Sequence, residues 1–479
     1  MPIPCAFLHW LLLENWPRMV QGTGDLMNEM AANTANGHFD VSHAIDEGKL
    51  TRVQKLIYVL AALAIIVDGF DGQMIGYAIP LIMQEWGTTR AAFSLAVASG
   101  LAGMAIGSLS AGVLADRLGR KPVLVASIVL FGASTMLIGL STDVPTIAMI
   151  RFFAGLGIGA ALPAATTLTA EFIPLRYRTM AVTTAIVCYP AGGMLAGLAA
   201  AQILPTHGWR VFFYFGGSMA MVFAIFLLFT LRESPKFLTR QPSRWEELRR
   251  LMQSMAHQVD HVRQFTDGLV QSTQRGHVAE LFRQGRAFDT SWLWLAFFMI
   301  QLSIYSAYSW LPTMLTTEGL SPALSGMGLT AYNFGGIFGA VLCAAAINRY
   351  GSRGPMVFWA AMSAATALGL KMINITASPE SFLWGLGFHG LFVTALQCAM
   401  FALCAHIYPT EIRTTGAATA MAFGRTGAFV SAFAGAAMIT AGGANAYLNL
   451  LGGSMIVSMI GLAMVRAHIG PKSKSESVV

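Results

Sequence analysis

Apolar stretches of about 20 residues recur along the whole chain, and short charged clusters separate them. A helix needs about 20 apolar residues to cross the hydrocarbon core of a membrane, because it rises 1.5 Å per residue. Charged residues make up only 11% of the 479 residues, whereas a soluble domain carries about a quarter. A chain so poor in charge could not cover a water-exposed surface, so the sequence predicts an all-α polytopic membrane protein.

The hydrophobic pattern predicts twelve transmembrane helices in two sets of six. The first set lies near 55–82, 91–114, 121–141, 146–170, 180–203 and 210–231, and the second near 289–312, 322–347, 355–375, 380–406, 414–440 and 444–465. The predicted organisation is an N-terminal segment 1–54, a half 55–231, a middle loop 232–288, a half 289–465 and a tail 466–479. The polar middle loop cannot lie in hydrocarbon.

Basic residues are concentrated in alternate loops, such as Arg117, Arg120 and Lys121 in one loop and Arg176 and Arg178 in another. The net charge of +7 therefore indicates orientation signals rather than nucleic-acid binding. The positive-inside rule predicts that both termini and the middle loop are cytoplasmic, in a cell (inner) membrane. An even number of spans requires the same arrangement.

The two halves resemble each other in sequence. Asp116-Arg-Leu-Gly119 corresponds to Asn348-Arg-Tyr-Gly351, and Pro174-Leu-Arg-Tyr-Arg178 corresponds to Pro409-Thr-Glu-Ile-Arg413. The members of these pairs are 232 and 235 residues apart, so the matches are in register and indicate an internal duplication. Pseudo-symmetric six-helix halves with a midplane substrate site between them are one of the standard transporter architectures.

The segment Gly112-Val-Leu-Ala-Asp-Arg-Leu-Gly-Arg-Lys121 resembles the loop signature of the major facilitator superfamily at every fixed position. Within that superfamily the chain looks like the aromatic acid:proton symporters. That likeness rests on Asp68-Gly-Phe-Asp71, on Arg151-Phe-Phe-Ala-Gly-Leu-Gly-Ile-Gly-Ala160, on Thr166-Thr-Leu-Thr-Ala-Glu171 and on Tyr408-Pro-Thr-Glu-Ile-Arg413. The resemblance implies the major facilitator fold and proton-driven uptake of benzoate-like or hydroxybenzoate-like anions.

Two carboxylates lie in the first predicted span. Asp68 is about 13 residues into the span, near mid-membrane depth, and Asp71 follows three residues later on the same helix face. A charge at this depth costs a few kcal/mol and commonly marks an ion path. Neighbouring carboxyls in a low dielectric repel each other, so the pair is predicted to carry protons. The structural alternative is a helix kink at Gly69 or Gly72, or an ion pair between helices.

Two arginines and several uncharged polar residues lie inside other spans. Arg425 is near mid-depth, and Arg151 is one or two turns from the outer end of its span. Arg425 and Arg151 could bind a carboxylate substrate through the guanidinium fork, although Arg151 could instead snorkel to the outer surface or pair with an aspartate. The other predicted substrate-binding residues suit a planar hydroxylated ring, or else serve as contacts between helices; they are Gln301, Tyr305, Tyr308, Tyr332 and Asn333. His389, also predicted at the site, could relay protons or be a satisfied core residue.

The charged loops are predicted to gate transport by forming and breaking ion pairs, which would bias the inward-open and outward-open populations. The predicted gating residues are Asp116, Arg117, Arg120, Lys121, Glu171, Arg178, Glu411 and Arg413. A pure orientation signal is the alternative, but it would not need Asp116.

No nucleophile–base arrangement, metal-ligand spacing or phosphate-binding lysine motif is found in the sequence, so we predict no enzyme activity, no metal and no cofactor. A proton gradient is the predicted driving force, lipid and small-molecule aromatic acids the partners, and a monomer the functional unit. Two alternatives stay open. One is a symporter for another organic anion or a sugar, and the other is a membrane chemosensor built on a transporter scaffold.

Overall fold

The computed structural model describes residues 38–260, 262–268, 278–283, 285–409 and 412–471, so most of the predicted N-terminal segment lies outside the described residues. Helices dominate this part of the chain. In chain order they are α1 (Val41–Glu47), α2 (Arg52–Trp86), α3 (Arg90–Leu118), α4 (Arg120–Ile138), α5 (Val144–Phe172), α6 (Leu175–Thr230), α7 (Pro235–Thr239), α8 (Trp245–Ser254), α9 (Ala287–Thr317), α10 (Pro322–Tyr350), α11 (Arg353–Gly369), α12 (Pro379–Ile407) and α13 (Arg413–Met464).

Nine of the described helices are long and apolar enough to cross a membrane. Two of these, α6 with 56 residues and α13 with 52, exceed the length of one crossing. Both are broken by residues outside the helical region of backbone conformation, at Gly208 in α6 and at Gly442 and Gly443 in α13. These breaks lie between predicted spans. Counting α6 and α13 twice and including α11, the described helices overlap each of the twelve predicted spans, whose number stays a prediction.

Small residues let the long helices pack closely. Gly155 and Gly159 on α5 lie against the backbone of α3, at Gly100 and Met104, where any side chain would clash. Such contacts are common between membrane helices, because small residues allow backbones to approach. Gly155 and Gly159 therefore serve the packing of α5 against α3. Gly76 on α2 similarly meets the backbone of Tyr308 on α9 and joins the first half of the chain to the second.

The middle loop contains structure that the sequence did not predict. Its short helices α7 and α8 are followed by strand β2 (Gln264–Thr266), which pairs in parallel with strand β1 (His38–Asp40). Phe39 and Phe265 are opposite each other in this pair and are both buried. The strands bring the start of the described chain onto the middle loop, more than 220 residues away. Apart from this sheet, the described chain is helical, as predicted.

Candidate functional site

A cavity lies between helices of the two halves, and three of the predicted site residues line it. Asp68 comes from α2, Tyr305 from α9 and Arg425 from α13. Most of the remaining wall is apolar, with Met104 on α3 and Ile158 on α5 among its members. Charged groups from opposite halves thus face one largely apolar space, as is typical of small-molecule sites.

The two aspartates of α2 are almost fully buried, at 1% exposure each. One oxygen of Asp68 and both oxygens of Asp71 have no hydrogen-bond partner. The Thr135 hydroxyl lies close to Asp71, and the charge of Arg151 also acts on that aspartate. The charge of Arg425, which shares the cavity wall with Asp68, acts on Asp68. Neither aspartate is within 4.0 Å of an arginine nitrogen in the described part of the chain. The structure therefore holds two buried acid–base pairs without direct contact.

Arg425 is oriented by a neighbouring helix of its own half. Its Nη1 donates a hydrogen bond of 3.0 Å to the hydroxyl of Tyr305 and lies 2.6 Å from the sulfur of Met104. The Tyr305 hydroxyl in turn lies 3.5 Å from the same sulfur. Tyr305 therefore holds the guanidinium in the cavity wall, where it could bind a carboxylate.

Arg151 is buried on α5, with Nε and Nη1 lacking hydrogen-bond partners. Its guanidinium packs against Gly100 of α3. It does not belong to the cavity wall, and its burial shows that it does not snorkel to the surface. The carboxylate whose charge acts on Arg151 is that of Asp71.

The predicted aromatic residues form a continuous row that leads away from the cavity. Ring centroids are 5.7 Å apart between Tyr305 and Tyr308, 6.1 Å between Tyr308 and Tyr332, and 5.8 Å between Tyr332 and His389. Only Tyr305 of these four lines the cavity. His389 is fully buried, with Nδ1 3.1 Å from the carbonyl of Ser363. Gln301 is also buried outside the cavity wall, beside Gly424 of α13.

Asn333 is engaged with a residue that the sequence analysis missed. Its Nδ2 donates to Gln73 Oε1 at 2.7 Å, and Gln73 Nε2 donates to Asn333 Oδ1 at 3.2 Å. Asn333 Nδ2 also donates to the carbonyl of Leu329. We call Gln73 and Asn333 the amide pair; both are buried, and they connect α2 of one half to α10 of the other. Gln73 is a polar residue inside an apolar span, and this signal could have identified it.

The profile of the Major Facilitator Superfamily matches residues 61–331 and, a second time, residues 293–478. The chain belongs to this superfamily. It is therefore a multi-pass membrane transporter rather than an enzyme, and the predicted major facilitator fold is confirmed.

Alignments with two named transporters cover most of the chain. The 4-hydroxybenzoate transporter of Pseudomonas putida is 32% identical over 422 residues, which cover 87% of this chain and 93% of the relative. The gallate transporter of the same organism is 30% identical and covers 90% and 94%. The predicted resemblance to aromatic acid transporters is confirmed.

Solved structures show the same fold at lower identity. A partially occluded, inward-open form of the xylose transporter of Escherichia coli superposes with a TM-score of 0.69 at 18% identity, and the match covers 88% of this chain and all of that one.

The superfamily's loop signature lies at the end of the bundle that carries Arg117, Arg120 and Lys121, which we call the basic face. Arg120 is buried and donates to Asp116 and Glu171, at 2.9 Å in each case. A second cavity, of about 490 Å³, adjoins these groups, and Arg178 also lines it. The structure thus brings together four of the predicted gating residues.

Glu233 completes this cluster, although the sequence analysis did not select it. Its Oε1 accepts hydrogen bonds from the backbone nitrogens of Arg120 and Lys121, at 2.9 and 3.2 Å, and therefore caps the first turn of α4. Its neighbour Ser234 hydrogen-bonds Glu171. An acidic residue directly after the sixth predicted span, close to a basic loop, was the available signal.

Arg178 also contacts α1, and the remaining predicted gating residues are more peripheral. Arg178 forms an ion pair with Asp46 of α1, and Arg117 is exposed. Lys121 Nζ donates to the carbonyl of Leu228, and Arg413 Nε to that of Tyr408. Glu411 lies outside the described residues.

Proposed function

We propose that this protein imports an aromatic carboxylate together with protons by alternating access between its two halves. The substrate would be benzoate-like or hydroxybenzoate-like. The observation that carries the proposal is the cavity between the halves, where Asp68 faces Arg425 in a mostly apolar wall. The names of the relatives, which are transporters of 4-hydroxybenzoate and gallate, support the same substrate class.

The carboxylate of the substrate would bind Arg425, because a guanidinium offers a fixed charge and two parallel donors. Tyr305 and the apolar wall would contact the ring. Arg151 and the row of Tyr308, Tyr332 and His389 would act from behind the wall, and Gln301 would support α13. Asn333 would contribute to substrate binding once the amide pair opens.

Proton coupling would belong to Asp68 and Asp71. An ionised carboxylate that is buried without a direct partner is costly, so protonation relieves that cost. A substrate carboxylate bound at Arg425 would offset the positive charge that acts on Asp68. The neutral form of Asp68 would then be more favourable still. Binding of the anion and of the proton would therefore favour each other.

The basic face would be cytoplasmic, as would both termini, and the membrane would be the cell (inner) membrane. The ion pairs of Arg120 and Arg178 would hold one conformation, with Asp116, Arg117, Lys121, Glu171, Glu411 and Arg413 as further gating residues. Transport would need a proton gradient and no cofactor, and a monomer would suffice.

The test is uptake by purified protein in proteoliposomes with an imposed pH gradient. Radiolabelled 4-hydroxybenzoate should accumulate above its equilibrium level only when the gradient is directed inward. Unlabelled benzoates should compete, whereas aliphatic acids and xylose should not. Accumulation without a proton gradient would overturn the coupling, and binding without accumulation would favour a chemosensor.

A further inference from the structure

One face of α12 lines the cavity with uncharged polar groups. Thr394, Gln397, Cys398 and Phe401 all belong to the cavity wall. Their spacing of three, four and seven residues places them on a single helix face. This face is distinct from α2, α9 and α13, which bring Asp68, Tyr305 and Arg425 to the same cavity.

Two groups on this face have unused hydrogen-bonding capacity. Thr394 is 1% exposed. Its Oγ1 lies beside Gly336 and the Tyr332 hydroxyl of α10 but makes no hydrogen bond of standard geometry. The Gln397 side chain, which is half-buried, forms no hydrogen bond with another group in the described part of the chain. A buried polar group left unpaired costs free energy, so a ligand that pairs with these groups gains relative to one that does not.

We propose that Thr394 and Gln397 bind a hydroxyl group on the substrate ring and so select hydroxylated aromatic acids over benzoate. A carboxylate is drawn to the charged wall at Arg425, and the apolar wall accommodates the ring. A ring hydroxyl both donates and accepts hydrogen bonds, and it matches a threonine hydroxyl beside a glutamine amide. Benzoate leaves both groups unpaired. This inference rests on the proposed function and adds its specificity-determining residues.

The experiment compares uptake of 4-hydroxybenzoate, 3-hydroxybenzoate and benzoate by wild-type protein, T394V and Q397L in proteoliposomes. The wild type should have a lower KM for at least one hydroxylated acid than for benzoate. Each variant should lose about 5-fold to 10-fold of that preference, the size expected for one neutral hydrogen bond. T394S, which restores a hydroxyl, should regain it.

C398A is the matched control, because Cys398 lies on the same helix face but offers only a weak donor. It should change the KM of all three acids by the same factor. Uptake of benzoate reports folding within each variant. If T394V takes up none of the three acids, Q397L and T394S provide the test.

An unchanged ratio of KM values in T394V or Q397L, measured in protein that still takes up benzoate, would overturn the inference while leaving the transport function intact. Failure of the proposed function would give another result, because the wild type would then accumulate none of the three acids under the pH gradient.

Discussion

Asp68 and Asp71 lie three residues apart on α2, yet different arginines from different halves act on them. Arg425 acts on Asp68 across the cavity, and Arg151 acts on Asp71 within the first half. Only Asp68 lines the cavity. A substrate carboxylate bound at Arg425 would therefore compete with Asp68 for that arginine, whereas Asp71 would keep Arg151.

Replacing Asp68 by asparagine should abolish accumulation driven by a pH gradient, since an amide cannot take up and release the proton. Exchange of labelled for unlabelled 4-hydroxybenzoate across the membrane should persist, because asparagine mimics the neutral acid. Both are measured by uptake in proteoliposomes. Glu85→Gln is the control on the same helix, because Glu85 is exposed and paired with Arg210. Accumulation that still follows the pH gradient in Asp68→Asn would contradict the carrier role.

Arg425→Lys should raise the KM for 4-hydroxybenzoate about 10-fold or more, because lysine keeps the charge but loses the planar fork. The hydrogen bond to Tyr305 would also be lost, so the remaining charge would be poorly positioned. Initial rates of uptake over a range of concentrations separate KM from the maximal rate. Arg353→Lys serves as a control, since Arg353 donates to the carbonyl of Ala463 away from the cavity. An unchanged KM in Arg425→Lys would show that the substrate binds elsewhere.

Among the elements, α4 depends on a residue outside its own sequence. Its first residues have no side-chain cap from Gly119, and Glu233 supplies the missing acceptor from beyond α6. Glu233→Ala should therefore destabilise the protein by about 1–2 kcal/mol, the usual effect of losing a helix cap. Thermal unfolding in detergent measures the change.

The comparison for that variant is Glu247→Ala, which removes an exposed ion pair with Arg244. Exposed pairs contribute about 0–1 kcal/mol, so its midpoint of unfolding should hardly move. Equal midpoints for the two variants would mean that Glu233 does not stabilise the start of α4.

How far these elements follow from the sequence depends on the range of the interactions. The long helices were predictable because each apolar stretch is a local property, and the breaks at Gly208 and Gly443 lie in predicted gaps between spans. The strands β1 and β2 were not predictable. They are three residues each and pair across more than 220 residues, so no local period marks them. In the candidate site, charged residues within apolar spans identified Asp68 and Arg425, whereas Thr394 and Gln397 resemble ordinary helix residues until the cavity is seen.

For the whole molecule, the amide pair joins the two halves on one side of the cavity. Gln73 lies beyond Asp68 toward the end of α2 that is opposite the basic face, and Asn333 lies on α10 of the other half. Arg90 and Thr317 connect the halves further out at the same end, with a hydrogen bond of 2.8 Å. Opening the cavity to that side requires these contacts to separate.

Gln73→Leu should shift the population toward the form that is open at this end. In the closed form the variant leaves the Asn333 amide buried and short of a partner, whereas water can reach Asn333 once the halves separate. A loss of about 1–2 kcal/mol changes the population ratio roughly 5-fold to 30-fold.

Spin labels on cysteines replacing Ala92 and Thr316, near the ends of α3 and α9, should report a larger share of long distances. Thr184→Val, which removes the hydrogen bond to Tyr58 within one half, should leave the distribution unchanged. Replacing both members of the amide pair by leucine should restore the closed form, because no buried amide is then left unpaired. A distance distribution that Gln73→Leu leaves unchanged would show that apolar packing, such as Gly76 against Tyr308, keeps this end closed without the amide pair.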